Sequence, residues 1–108
     1  MITQTYVNDI AYKIVGCAIE VHKELGPGLL ESIYQKCFVK ELELKGLKTT
    51  QQIKIPVHYK DEYLDCNLRL DVLVEELIIV ELKAVEEIHP LYKAQLLTYM
   101  KLLEKPKG

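Results

Sequence analysis

The sequence RLDVLVEELIIVELKAV, from Arg69 to Val85, contains the clearest strand signals of the chain. From Leu64 to Asp71 apolar residues alternate with polar ones, as in a strand with one buried face that continues to Val74. Glu75-Glu76 predicts a turn, and the apolar run after it predicts a second strand from Leu77 to Lys83. Because this run suggests burial on both faces, it predicts a central strand of the sheet.

Helical periodicity dominates the rest of the chain. Apolar residues at steps of three and four predict one helix from Tyr6 to Leu25 and a second from Leu30 to Leu42. Ile53 to Tyr59 alternates again and predicts a strand that is bulged or at an edge, because Pro56 cannot donate to a ladder. A last helix is predicted from His89-Pro90 to Leu102. The order ααβββα predicts an α/β (α+β) fold with a mixed sheet of about three strands flanked by helices.

Length and composition indicate one globular domain, spanning residues 1–108. The net charge of −2 lacks the basic footprint of many nucleic-acid-binding proteins, but carboxylates that hold a metal ion lower the net charge by themselves. The early apolar run from Ile14 to Ile19 is too short for a signal-peptide core or a membrane span, so a cytoplasmic protein is predicted. The widely spaced Cys17, Cys37 and Cys66 have apolar neighbours, which predicts buried free thiols.

Three charged residues carry the clearest indication of chemistry. Glu81 and Lys83 are two apart in a predicted strand and therefore point to one face. If the preceding loop is the three residues 75–77, Asp71 lies directly opposite Glu81, whereas a two-residue loop would shift this register by one place. Two carboxylates so placed repel each other, and a divalent cation, which prefers carboxylate oxygens, resolves the conflict. Glu-x-Lys alone is a weak signal, since Glu43-Leu44-Lys45 matches it too, and a solvated charged strand face is the alternative.

The second helix carries another group at regular spacing. Gly28, Glu31 and Tyr34 are three apart and lie along one side. The simpler interpretation is that Gly28 ends a turn, Glu31 favours the positive end of the helix, and Tyr34 packs against its neighbours.

Three further residues are candidates for contact with a substrate, and each also has a purely structural interpretation. Gln95 and Tyr99 are four apart on the last helix, where their polar tips are able to reach phosphate or a base, or lie at the rim of the core. Arg69 shares the strand face of Asp71, and it either grips a phosphate bidentately or neutralises Asp71 or Asp65.

Three separated blocks of the chain together resemble a known family. GLLESIY, from Gly28 to Tyr34, matches the signature of the GxxExxY family, and the longer blocks AIEVHKELGPGLLESIY, RLDVLVEELIIVELKAV and AQLLTYM are similar to it as well. The likeness extends from about Val7 to about Leu103. This family resembles the PD-(D/E)XK nuclease superfamily, which implies a mixed sheet with flanking helices and a metal site on adjacent strands.

The resemblance implies a catalytic and metal-binding role for five residues. Asp71 matches the first acidic position of the superfamily, and Glu81 and Lys83 match its E-x-K pair. The expected ligands of Mg²⁺ (or Mn²⁺) are Asp71, Glu81, the main-chain carbonyl of Leu82 and, through water, Glu31. Lys83 is expected to orient water or to stabilise charge on the phosphate.

The resemblance also implies a substrate and one departure from the family. Gln95 and Tyr99 match a Q-x-x-x-Y pattern that positions substrate, with Arg69 as a further candidate. Members of the family usually continue after the last helix into an apolar strand, whereas residues 106–108 are predicted to fray and the final strand to be absent. Dimerisation is one way to cover the surface that such a loss leaves open.

The function expected from these observations is Mg²⁺- or Mn²⁺-dependent hydrolysis of phosphodiester bonds in nucleic acid. The first alternative is a catalytically inactive, nuclease-derived domain that binds DNA or a protein partner. The second is a structural homodimer in which the acidic patch binds nothing.

Overall fold

The computed structural model describes residues 2–85 and 87–108. Its first helix, α1 (Gln4–Leu25), begins where Thr3 caps it, since the Thr3 hydroxyl accepts a hydrogen bond from the Tyr6 amide at 3.1 Å. The helix ends at Gly26, whose φ of 67° lies in the left-handed region that glycine adopts without steric cost. The predicted first helix is thereby confirmed.

The two other predicted helices are also present. α2 (Glu31–Leu44) follows the Gly28-containing turn and ends before Gly46, which has a φ of 77°. α3 (Pro90–Leu103) starts with proline in its first turn, and the His89 Nδ1 atom accepts a hydrogen bond from the Leu91 amide at 3.0 Å. Local sequence signals thus set the start of α3 and the end of α2.

Five strands form two antiparallel sheets. The larger sheet has the order β1-β4-β5, and the smaller is the hairpin β2-β3. In chain order the strands are β1 (Thr49–Lys54), β2 (Val57–Tyr59), β3 (Glu62–Leu64), β4 (Arg69–Val74) and β5 (Ile78–Val80). Three helices with a three-stranded sheet confirm the predicted α+β class, and the architecture is consistent with a restriction-endonuclease-like fold.

All three predicted strands are interrupted or shorter than the periodicity suggested. Residues 55–56 separate β1 from β2, which agrees with the inability of Pro56 to donate to a ladder. Residues 65–68 likewise separate β3 from β4. The predicted strand from Leu77 to Lys83 is only Ile78–Val80, so Glu81 and Lys83 lie in the segment directly after β5.

The prediction that this last strand is central was wrong, because β4 lies between β1 and β5. Burial on both faces does explain the apolar run, since Ile78 packs against α1 and α2 while Ile79 packs in the cluster that contains α3. Burial of both faces of β5 does not determine which strands form hydrogen bonds with its two edges. That order depends on contacts between distant parts of the chain.

The core has two layers, one on each side of the sheet. On one side, buried residues of α1 and α2 such as Cys17, Phe38 and Leu42 pack against Val72 and Val74 of β4. The second cluster consists of Ile55, Leu70, Leu73, Ile79 and Tyr99, and α3 contributes Tyr99 to it. The sheet therefore lies between a layer formed by α1 and α2 and a layer that contains α3.

The chain returns to the sheet after α3. Lys107 pairs in parallel with Ile78, and its carbonyl accepts a hydrogen bond from the Ile79 amide at 3.0 Å. Gly108 packs so closely on α3 that an added Cβ would come within 2.9 Å of the Leu96 side chain. The prediction that residues 106–108 fray was wrong, because the edge of β5 offers backbone groups with which Lys107 pairs.

The prediction of buried free thiols is correct only in part. The three cysteines are free, but only Cys17 is buried, Cys37 is half-buried and Cys66 is exposed, so its apolar neighbours did not bury it. Burial raises the pKa of the Cys17 thiol.

Within residues 2–85 and 87–108, no helix has the length and apolar character needed to cross a membrane.

Candidate metal and catalytic site

Asp71 and Glu81 face each other across the β4–β5 hairpin. Val72 pairs with Val80 and Val74 with Ile78, so the loop is the three residues 75–77 and the next step of the register joins Asp71 to Glu81. Glu81 Oε1 accepts a hydrogen bond from the Asp71 amide at 3.1 Å, and Asp71 Oδ2 accepts one from the Leu82 amide at 3.0 Å. Each carboxylate is therefore held against the main chain on the opposite side of the hairpin.

The strand pairing on the other side of Asp71 is interrupted. The register of β1 and β4 places Gln52 opposite Asp71, between the pairs Gln51–Val72 and Ile53–Leu70. Gln52 has a φ of 51°, which a residue with a side chain adopts at a steric cost. The Asp71 amide donates instead to Glu81, and its carbonyl faces the Gln35 amide group at 3.5 Å. This local distortion removes Asp71 from the regular ladder.

The environment of the pair makes the ionised form of Glu81 costly. Burial is the main cause that raises the pKa of Glu81, to about 7, and the charge of Asp71 raises it further. Two contacts lower the pKa of Glu81 in part. The hydrogen bond from the Asp71 amide has the larger effect, and the positive charge of Lys83 has the smaller one. At neutral pH the site therefore favours either a proton or another cation near Glu81.

The chemistry of these donors fits a divalent metal ion. Hard cations such as Mg²⁺ prefer carboxylate oxygens, and a cation between Asp71 and Glu81 compensates both the burial and the repulsion that raise the Glu81 pKa. In the described part of the chain, no group of three or more His, Cys, Asp or Glu side chains is close enough to hold a metal. Among the described residues, the side chains that fit a divalent metal ion at this place are therefore those of Asp71 and Glu81.

Glu31 approaches the same segment from α2. Its Oε1 atom accepts a hydrogen bond from the Ala84 amide at 3.0 Å. The segment after β5 is consequently held by two carboxylates, with Asp71 bound to the amide of Leu82 and Glu31 to that of Ala84. The structure brings Glu31 to the expected segment, but not into one cluster with Asp71 and Glu81.

Lys83 lies between these two anchored amides. Its Nζ atom sits 5.0 Å from the centre of the Tyr92 ring, a distance typical of a cation–π contact. The ion pairs of the described residues join Lys13 to Asp9, Lys48 to Glu76 and Lys54 to Asp65, so Lys83 forms none with Asp71 or Glu81.

The residues expected to contact substrate lie in two places. Gln95 Nε2 donates a hydrogen bond to the Tyr99 hydroxyl at 2.8 Å, which confirms that the two share one face of α3. Arg69 is exposed at the start of β4, paired with Lys54 of β1. A hydrogen bond from Lys54 is the main cause that lowers the pKa of Asp65, and Arg69 adds a smaller effect.

The turn between α1 and α2 is organised by Tyr34. Its hydroxyl donates to the Gly26 carbonyl at 2.6 Å and accepts from the Leu29 amide at 3.0 Å. Gly28 in this turn has a φ of 102°, a conformation that residues with a side chain rarely adopt. The regular spacing of Gly28, Glu31 and Tyr34 therefore has a structural basis in the turn and in the contact of Glu31 with Ala84.

A cleft of about 700 Å³ lies beside this turn. Both α1 and α2 line it, and the segment after β5 forms its remaining wall. Its lining residues are Ala18, Val21, His22, Pro27, Gly28, Leu29, Glu31, Tyr34, Phe38, Leu82, Lys83, Ala84 and Val85. The cleft thus reaches the segment that also carries the candidate site.

Two neighbours of the site were not found from the sequence. Gln35 contacts the Asp71 carbonyl from α2, and Tyr92 contacts Lys83 from the first turn of α3. Neither has a spacing that relates it to the acidic residues, because both contacts join elements distant in sequence. For Tyr92, the only available signal was its place near the start of a helix predicted to follow the Lys83 segment.

The α+β fold thus brings together a carboxylate of β4 and one directly after β5, with a lysine two residues after the second. The family model of the PD-(D/E)XK nuclease superfamily matches residues 8–108. The chain therefore belongs to the PD-(D/E)XK nuclease superfamily, whose members typically use divalent metals and act on nucleic acid. Comparison with curated proteins and with solved structures found no match.

Proposed function

We propose that this chain is a Mg²⁺- or Mn²⁺-dependent nuclease of the GxxExxY group. The observation that carries the proposal is the pair Asp71–Glu81, in which a carboxylate of β4 meets one directly after β5, in a chain of the PD-(D/E)XK nuclease superfamily. The membership in the GxxExxY group rests on the stretch from Gly28 to Tyr34.

In this proposal each residue has a separate task. Asp71, Glu81 and the Leu82 carbonyl hold the metal, and Glu31 assists through water. When bound, the ion would supply Lewis-acid chemistry, because it would polarise a phosphate oxygen and lower the pKa of a water molecule. Lys83 stabilises the charge that builds on the phosphate oxygens.

Substrate contacts are assigned to a second set of residues. Gln95 and Tyr99 offer an amide and a hydroxyl on one face of α3, and both groups are able to bind phosphate or a base. Arg69 is exposed and has the planar group that binds phosphate bidentately. The substrate class proposed is nucleic acid, DNA or RNA.

Cleavage of a panel of single- and double-stranded DNA and RNA, with Mg²⁺ or Mn²⁺, tests this function. Wild type should cleave at least one substrate, and Lys83→Ala should lower the rate by about 10²-fold or more. Lys45→Ala is the matched control, because it removes the lysine of the other Glu-x-Lys match, which lies at the end of α2. Wild-type activity no higher than that of Lys83→Ala on every substrate would refute the catalytic role.

A nuclease-derived binding module is the second candidate. It is favoured by the hydrogen bonds that tie one oxygen of Asp71 and one of Glu81 to main-chain amides, since such carboxylates already have a structural role. Salt-dependent binding of DNA without cleavage is the outcome expected of this module. Binding of a protein partner is its other form.

A homodimer remains a prediction of its own. The contact of Lys107 with β5 covers part of the edge for which a second copy was invoked. Sedimentation of the purified protein tests it directly, and a single monomer mass across concentrations would refute it. The cytoplasmic location likewise stays a prediction from the sequence.

A further inference from the structure

The side chain of Lys83 has an unexpected neighbour. Lys83 follows Glu81 by two residues, and the amide of the preceding residue, Leu82, donates to Asp71, so an ion pair with one of these carboxylates is the contact that charge alone favours. The Nζ atom instead lies 5.0 Å from the centre of the Tyr92 ring. Neither carboxylate is within ion-pair distance of it.

Tyr92 is well placed to hold this lysine. It is half-buried in the first turn of α3, and its amide donates to the His89 carbonyl at 2.9 Å. The His89 imidazole caps the same turn and meets the Tyr92 ring edge-on, with ring centres 6.2 Å apart. Contacts within the first turn of α3 therefore hold the Tyr92 ring in place, independently of its contact with Lys83.

The physical consequence concerns the freedom of the lysine. A lysine side chain loses much rotamer entropy when it is ordered, and the attraction between an ammonium group and an aromatic face offsets part of that loss. Held over Tyr92, the Lys83 ammonium forms no ion pair with Asp71 or Glu81, although its charge still lowers the pKa of Glu81. A lysine released from the ring is free to pair with the carboxylates, which would occupy the groups proposed to hold the metal.

We propose that Tyr92 is a positioning residue that holds the Lys83 ammonium beside the acidic pair and away from direct ion pairing with it. This inference rests on the proposed function, because it assigns Tyr92 a place in the same reaction. The aromatic ring is the part that acts, so phenylalanine is expected to replace tyrosine at this position and leucine is not.

NMR of the metal-free protein tests the contact independently of activity. The ring current of Tyr92 should shift the Lys83 ε-methylene protons upfield of those of Lys45. Tyr92→Phe should keep that shift and Tyr92→Leu should abolish it, with thermal unfolding used to verify that both variants fold. Lys83 protons that stay at the wild-type position in Tyr92→Leu would overturn the proposal.

The cleavage rate provides the functional half of the test. Tyr92→Leu should lower kcat about tenfold with little change in KM, whereas the kcat of Tyr92→Phe should stay near that of wild type. In a Lys83→Ala background, Tyr92→Leu should cause no further loss of kcat. Tyr59→Leu is the matched control, since Lys60 lies 5.4 Å from the Tyr59 ring centre in the distant β2-β3 hairpin.

The outcomes separate the two claims. Equal losses of kcat from Tyr92→Leu with and without Lys83 would overturn the positioning role even if the nuclease activity is real. Absence of cleavage by wild type would refute the proposed function, and with it the place of Tyr92 in the reaction. The NMR comparison would then decide the Lys83–Tyr92 contact alone.

Discussion

Asp71 and Glu81 each bind a main-chain amide on the opposite side of the β4–β5 hairpin. Glu81 accepts from the amide of Asp71 at 3.1 Å, and Asp71 accepts from that of Leu82 at 3.0 Å. These bonds fix two carboxylates close together at the end of the paired strands. Burial, and to a smaller extent the charge of the neighbouring Asp71, explain why the pKa of Glu81 rises to about 7.

The raised pKa predicts how stability depends on pH. Because the folded protein binds a proton at Glu81 more tightly than the unfolded chain, its free energy of unfolding should fall as pH rises from about 4.5 to about 7. After allowance for the partial exposure of this carboxyl, the loss is about 1–2 kcal/mol. Glu81→Gln should remove this loss, and urea unfolding at pH 4.5, 6 and 8 measures it.

The comparison needs a carboxylate that does not share the site. Glu43→Gln on α2 serves as the control and should show the pH dependence of wild type. A wild-type stability that rises between pH 5 and pH 7, by an amount that Glu81→Gln removes, would show that the site favours the ionised form of Glu81.

The Tyr34 hydroxyl should stabilise the turn between α1 and α2. Tyr34→Phe removes one bond to the Gly26 carbonyl and one to the Leu29 amide, so the free energy of unfolding should fall by about 1–2 kcal/mol. Tyr12→Phe should change it little, because Tyr12 is 80% exposed. Chemical unfolding of both variants measures the difference, and equal values for the two would contradict this role of the hydroxyl.

The left-handed conformation of Gln52 predicts a stabilising substitution. Gln52→Gly relieves the steric cost of a φ of 51° and should raise the free energy of unfolding by about 0.5–1 kcal/mol, after the entropy cost of glycine. Thr50→Gly, at a regularly paired position of the same strand, should lower it by a similar amount. A loss of stability in Gln52→Gly would mean that the side chain has contacts that outweigh the strain.

The helices and the hairpin that carries the acidic pair could be predicted from the sequence because their signals are local. Apolar periodicity and glycine or proline at the ends located the helices, and the turn at Glu75-Glu76 located the hairpin. Its register stayed open between a two-residue and a three-residue loop, and the structure has the three-residue loop 75–77. Strand order could not be predicted, because the apolar run around Ile79 reports burial of its faces and not its hydrogen-bonding neighbours. The same is true of the pairing of Lys107 with β5.

The immediate surroundings of the site were harder to predict. The φ of Gln52 and the approach of Tyr92 to Lys83 depend on packing between β1, β4 and α3, which no periodicity describes. Glu31 was expected at the site, and its contact with the Ala84 amide shows how α2 reaches the segment after β5.

Calorimetric titration of Mn²⁺ into the wild-type protein, Asp71→Ala and Glu43→Gln tests the proposed metal site without any substrate. We expect saturable binding to wild type and to Glu43→Gln, and a dissociation constant raised at least about tenfold in Asp71→Ala. Equal binding by all three proteins, or no saturable binding by wild type, would contradict a metal site at Asp71 and Glu81.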